Sequence, residues 1–322
     1  MARLTFVMTA LLLTLCGAVS AGQAAFPTRP INLIVPYPPG GVSDLMTRPL
    51  TKEASALLPY PIVVVNRPGG AGTIGFAEAI QARPDGYTIG LGSVGISAIQ
   101  PHLSDLPYKT PDDYRSLLNV ITTPEIFAVR SDAPWKTMQE LLAHAKANPG
   151  KVRVSIPGIG SIQHMLFETL KDVAGIDMLT VPFAGGGEAI PPLLGGHVEG
   201  IVIAPAPLLG HIEAGKVRVL ATFSERRDPF APDTPAFREL GYDVARDEYV
   251  FLALAKNTPD AVAEVLHDAL KRAMDTEPFK KLITDKRLII RYENGPDLKK
   301  RLQADYASFG DLIRKKRHLF SK

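Results

Sequence analysis

At 322 residues, with a formal net charge of +3 and 46% hydrophobic residues, the chain is too long for one small core and fits about two domains. Its near-balanced charge excludes the strongly basic surface of a nucleic-acid binder. One cysteine excludes a disulfide framework, and no stretch reaches the ~20 apolar residues that span a bilayer as a helix.

The first 25 residues carry one charge, Arg3, then an apolar run around Ala10–Leu15 and small residues at Val19-Ser20-Ala21 and Gly22-Gln23-Ala24. That order predicts a secretory signal peptide over 1–25 and a periplasmic protein. Cys16, the only cysteine, falls inside it. Leu13-Thr14-Leu15-Cys16 is close to a lipobox but has Leu15 where a small residue is usual, so lipidation is left open. Removing the segment lowers the formal charge to about +2 and leaves no thiol chemistry.

Ile31–Val35 then reads as a buried strand breaking into Pro36-Tyr37-Pro38-Pro39-Gly40-Gly41, with a helix opening near Val42-Ser43-Asp44. Ser43 or Asp44 is the expected cap, and bare backbone at the glycines with a helix dipole behind it makes an anion site. Met46, Leu50, Ala54 and Leu57 form the stripe of a helix over about 44–58, which Pro49 should kink. A strand at 62–65, a helix near 74–82 and a strand at 87–91 follow, an alternation that predicts a mostly parallel sheet. The last of these strands runs into a second glycine loop, Gly92-Ser93-Val94-Gly95.

Residues 125–129 read as a strand, and Trp135, Met138, Leu141, Leu142 and Ala145 as a helix face stopped at Asn148-Pro149-Gly150. Another alternating series covers 151–222. It opens with a strand at 151–155, the loop Gly158-Ile159-Gly160-Ser161 and a helix patterned at Ile162, Leu166, Thr169 and Val173. A return strand at 249–255 leads to helices bearing Val262, Leu266 and Leu270, then Leu298, Leu302, Tyr306, Phe309 and Ile313, expected to pack back on the first domain. Crossings near 125–131 and 246–254 predict two hinge strands.

Gly70-Ala71-Gly72-Thr73-Ile74-Gly75 matches a dinucleotide fingerprint, but the next strand ends in Gly92-Ser93 instead of an acid, so a tight structural turn is expected and no cofactor. Gly210–Lys216 comes near a P-loop with its elements in the wrong order, and Gly215 reads as a helix cap. The seven histidines are scattered, and neither a nucleophile elbow nor metal-ligand spacing occurs. His164 is either a packing residue or a ligand contact. Ser93 and Ser161 are either plain caps or donors to an anion.

Several long, ordered motifs resemble the Bug-type extracytoplasmic solute receptors, the binding proteins of tripartite tricarboxylate transporters. They are Pro36–Gly41 with Asp44, Asn66–Gly75, Pro84–Thr88 with Gly92-Ser93, Pro101-His102-Leu103, Gly158–His164, Leu193–Glu199 and Ala214–Arg218. The resemblance implies an α/β, two-lobed periplasmic-binding-protein architecture of type II, with the ligand in the interlobe cleft. Lobe 1 would comprise 26–127 and 248–322, and lobe 2 would comprise 128–247. It implies that Tyr37, Gly41, Val42, Ser43 and Ser93 from one lobe, with Gly160, Ser161, His164 and Phe183 from the other, hold a small organic acid. It further implies delivery to the permease subunits of a tripartite tricarboxylate transporter, with no catalysis, cofactor or metal, by a monomer. Many relatives carry an acid near Ala204, where this chain is apolar; that favours a dicarboxylate or aromatic acid over an amino acid. The rival expectation is an exported α/β enzyme such as a hydrolase.

Overall fold

The computed structural model describes residues 26–228 and 231–320, the side chains of His318 and Leu319 apart. The export segment expected over 1–25, with Cys16, lies outside them. Eleven strands form two sheets among the described residues. The first takes β1 (Ile31–Val35), β2 (Ile62–Asn66), β3 (Thr88–Ser93), β4 (Tyr114–Thr123), β10 (Glu248–Ala255) and β11 (Ile289–Asn294), in the order β11-β4-β10-β3-β1-β2. The second takes β5 (Ile126–Arg130), β6 (Arg153–Ile156), β7 (Leu179–Pro182), β8 (Gly200–Ile203) and β9 (Val217–Thr222), in the order β7-β6-β8-β5-β9.

The two sheets share one plan. Three strands pair in parallel (β2-β1-β3 and β7-β6-β8), and the strand that has just crossed from the other sheet joins them antiparallel (β10 and β5). The expected mostly parallel sheet therefore holds only within each triplet. The sequence pattern missed β4, which lies between β10 and β11, because ten residues with seven consecutive buried positions carry no alternation to read. The chain passes between sheets at Thr123-Pro124-Glu125 and again before Glu248.

Burial decides the helices. In Val42–Ser55, Met46, Leu50 and Ala54 are fully buried and the helix continues through Pro49. Apolar burial at about 1.5–3 kcal/mol per side chain offsets the ~3 kcal/mol proline cost. Leu57, counted in the stripe, lies beyond the helix end and is exposed, as is Val173. One core takes residues of both sheets, Phe127 and Phe251 among them, together with Phe76 and Phe167 from helices; each sheet has a further core on it, the first sheet's also taking Ala204 and Ala206 from the segment after β8. The C-terminal helix Gly295–Lys315 adds Leu298, Leu302, Phe309 and Ile313 to the shared core. Its neighbour Lys316 pairs with Asp172 on the helix Ile162–Ala174, so this end of the chain reaches past the first sheet.

Both motifs with nucleotide-site look-alikes are turns. Gly69, Gly70 and Gly72 have positive φ, and a Cβ on Gly75 would lie 2.4 Å from the Arg67 carbonyl oxygen. Glycine is required there for the helix Thr73–Ile80 to approach the backbone. Gly215, at φ 67°, ends the helix Leu209–Glu213.

Candidate functional site

Loops from the two sheets meet face to face. The Gln100 amide donates to the Ile159 carbonyl at 2.6 Å, and a Cβ on Gly95 would lie 3.3 Å from Ser161 Cα. Between the lips is a cleft of about 50 Å³, lined by Tyr37, Gly41, Val42, Ser43, Pro157, Ser161, Gln163, Gly186, Ile203, Ala204, Pro207 and Glu248. That is room for a few waters, so entry of anything larger requires the lips to part.

Three helices begin at this cleft: Val42–Ser55 with N-cap Gly41, Ile162–Ala174 with N-cap Ser161, and Gly186–Leu194 with N-cap Gly185. The first N–H groups of a helix have no partner within it, and the dipole adds roughly half a positive charge at that end. Gly41 and Gly185 contribute no side-chain cap. Neither Ser43 nor Asp44 caps as expected, because both lie inside the first turn. Asp44 instead accepts from Gly40 N at 3.3 Å and pairs with Arg48 at 2.7 Å. A Cβ on Gly41 would be 4.0 Å from Gly186 N, so two of the helix starts face each other at close range. Among the described residues no Lys, Arg or His lines the cleft, which leaves backbone N–H groups, hydroxyls and the Gln163 amide as the donors for an anion.

Of the residues named from sequence, Tyr37, Gly41, Val42, Ser43 and Ser161 line the cleft. Ser93 is buried behind it, its hydroxyl 3.2 Å from the Tyr37 hydroxyl. Burial pushes the Tyr37 phenol well up, helped by the charge of Glu248, so Tyr37 stays protonated and can donate. Gly160 sits at the lip, where a Cβ would strike Gln100. His164 is buried in the second lobe, its Nδ1 accepting from Gly160 N at 3.2 Å and its ring against Phe320. Phe183 packs against the second sheet's own core.

Ser161 is both a cap and part of the cleft. Its Oγ accepts from His164 N at 3.1 Å and donates to the Gly158 carbonyl at 2.8 Å. Replacing it with Ala is expected to cost about 0.5–2 kcal/mol in urea titration, while Asn, which also caps, restores most of that. Equal stability of all three proteins would show the cap to be idle.

Three features were not legible in the chain. The helix start at Gly185-Gly186 follows a short edge strand, β7, none of whose residues is buried, so nothing marked a strand-to-loop transition. Gln163 and Glu248 come together only through the register of the crossings. Glu248 pairs with Thr123 across β10 and β4, which brings it beside Glu125. The Gln163 amide donates to Glu125 Oε1 at 2.8 Å and to Glu248 Oε2 at 3.2 Å. Burial, and after it the charge of Glu248, holds Glu125 well above the usual carboxylate range, while burial alone holds Glu248 above it, against hydrogen bonds with Glu125 and Gln163 that pull it down. The apolar Ala204 therefore does not leave the cleft without an acid, because Glu248 supplies one from the hinge.

A second cleft of about 540 Å³ lies behind the hinge, with Arg226, Arg246, Arg291 and Arg301 among its lining residues. Arg291 and Arg301 are tied to Glu293. It is larger, but the helix starts and the carboxyl ends of the parallel strands face the first cleft, where open α/β sheets bind ligands. Among the described residues no cluster of His, Cys, Asp and Glu could hold a metal, and no helix is long and apolar enough to cross a membrane.

Residues 46–318 match the family described as Tripartite tricarboxylate transporter family receptor. Protein BugT of Bordetella pertussis is 32% identical over 285 residues, covering 86% of each chain. The periplasmic binding protein BugD superposes with a TM-score of 0.86 at 28% identity, covering 90% of this chain and 98% of its own. MatC of Rhodopseudomonas palustris, solved with bound malate, superposes at 0.85 with 25% identity over 89% of this chain and all of its own.

Proposed function

The chain belongs to the tripartite tricarboxylate transporter receptor family, and from that premise we propose that it captures a small organic acid in the periplasm and hands it to the permease subunits of such a transporter. The observation that carries the reading is the convergence of three helix N-termini on a cleft with no cationic side chain. Backbone N–H groups hold one carboxylate there, each charge-assisted bond contributing ~1.5–3 kcal/mol. A dicarboxylate or an aromatic acid is the ligand class, the malate-bound MatC relative being in line with the former. The receptor acts as a monomer, without cofactor or catalysis, after removal of the export segment over 1–25.

The two crossings between sheets act as the hinge, and the lobes close on the acid. The test is a thermal-shift and small-angle scattering screen over malate, succinate, adipate and benzoate. A binding acid at a thousandfold excess over Kd stabilises the fold by about 4 kcal/mol. That raises Tm by several degrees, at roughly 2–4 °C per kcal/mol for a chain of this size, and the radius of gyration falls. A screen in which no acid moves Tm, or conversion of an acid to product, would remove the reading in favour of another ligand class or of an exported hydrolase.

A further inference from the structure

Glu125 and Glu248 stand on the two crossings between the sheets, and only Glu248 reaches the cleft. Their proximity is fixed by β-sheet register, Glu248 against Thr123, and by the Glu125 carbonyl, which accepts from Phe223 N at 2.8 Å in the second lobe. A single amide nitrogen of Gln163 donates to one oxygen of each carboxyl, at 2.8 and 3.2 Å. Glu125 is fully buried, and its other oxygen, Oε2, has no donor among the described residues. A buried carboxylate oxygen without a donor is costly. It is satisfied without any new group if that oxygen carries a proton and gives it to Glu248.

Resting on the reading of the cleft as an anion site, we infer that Glu125 and Glu248 hold one proton between them, and that an organic anion binds beside Glu248 only while they do. Two bare carboxylates this close repel each other and would repel the ligand as well; one shared proton leaves a single charge spread over the pair. The groups that act on the pair most are anionic or neutral. Asp247, adjacent in the chain, raises Glu125 further, Gln163 lowers both, and Tyr37, across the cleft from Glu248, is itself held protonated. No cation is among them. Both carboxyls stand above their ordinary range, so the pair binds its proton from acidic pH up through that raised range and loses it above.

The consequence is a binding constant linked to one proton. Anion affinity is steady where the pair is protonated and then weakens about tenfold per pH unit once it ionises. Glu125→Gln replaces the shared proton with a permanent N–H donor to Glu248, and its Kd is expected to be flat with pH. Should that variant fail to fold, Glu248→Gln removes the second charge and predicts the same flat profile. A ligand-free arm reads the proton directly: the infrared C=O band of an un-ionised buried carboxyl at neutral pH, present in wild type and absent in Glu125→Gln. Absence of that band in wild type, or the wild-type pH slope retained in Glu125→Gln, overturns the inference. If no acid binds at all, the reading of the cleft fails instead, and the band alone decides for or against the shared proton.

Discussion

Gly41→Asp should abolish capture of the acid while leaving the fold intact. Gly41 is an N-cap in extended conformation, φ −79° and ψ 174°, which any residue adopts. A Cβ there meets nothing closer than Gly186 N at 4.0 Å. Aspartate is among the best N-caps, so circular dichroism should be unchanged and stability equal to wild type or slightly above it. The new carboxylate, though, takes the place of the ligand between two helix starts. Like charges about 4 Å apart cost ~4 kcal/mol at an effective dielectric near 20, roughly a thousandfold in affinity. Gly41→Asn caps equally well without the charge and should lose only about tenfold, for the space it fills. Calorimetric titration of all three proteins with the acid that wild type binds separates charge from bulk; equal affinity in Gly41→Asp and wild type would place the anion elsewhere.

His164 gives the second large effect, in stability. Burial pulls its imidazole down to about 4, opposed by Glu168 and reinforced by Lys171. Its Nδ1 accepts a backbone hydrogen bond from Gly160, which only the neutral ring can do. Because the folded value lies below the unfolded one, near 6.5, the unfolded chain binds more protons between the two. Stability is therefore full above about pH 6.5 and falls as pH drops toward 4, by up to ~3 kcal/mol. The Glu125–Glu248 pair acts in the opposite sense, its contribution growing as pH falls, so single variants are needed to see either. Unfolding of His164→Gln, whose amide oxygen can still accept from Gly160, should lose the acid-side decline. Parallel pH profiles for variant and wild type would mean that the ring titrates normally in the fold.

The parts of the site that could be read from the chain are those where strand, glycine loop and helix follow one another without a gap. Ile31–Val42 and Arg153–Ile162 are of this kind, and both place their helix starts at the cleft. The loop after β3 fits less well. It continues as a π-helical turn over Gly95–Ile99, and Ser93 supports Tyr37 from behind rather than lining the cleft. A period could not reveal β4, a strand buried along nearly its whole length. Nor could it reveal Glu248 beside Glu125, which are separated by more than a hundred residues and joined only by strand register. Local pattern reaches two of the three helix starts; the one at Gly186 and the carboxyl pair needed the topology.

The position of the acid's carboxylate is decisive, and a crystal structure of the protein with its bound acid measures it. The expected result is carboxylate oxygens within hydrogen-bond distance of N–H groups at Val42-Ser43, Ile162-Gln163 and Gly186-Gly187, with no guanidinium in contact. An acid seated instead behind the hinge, against Arg246, Arg291 and Arg301, would contradict it.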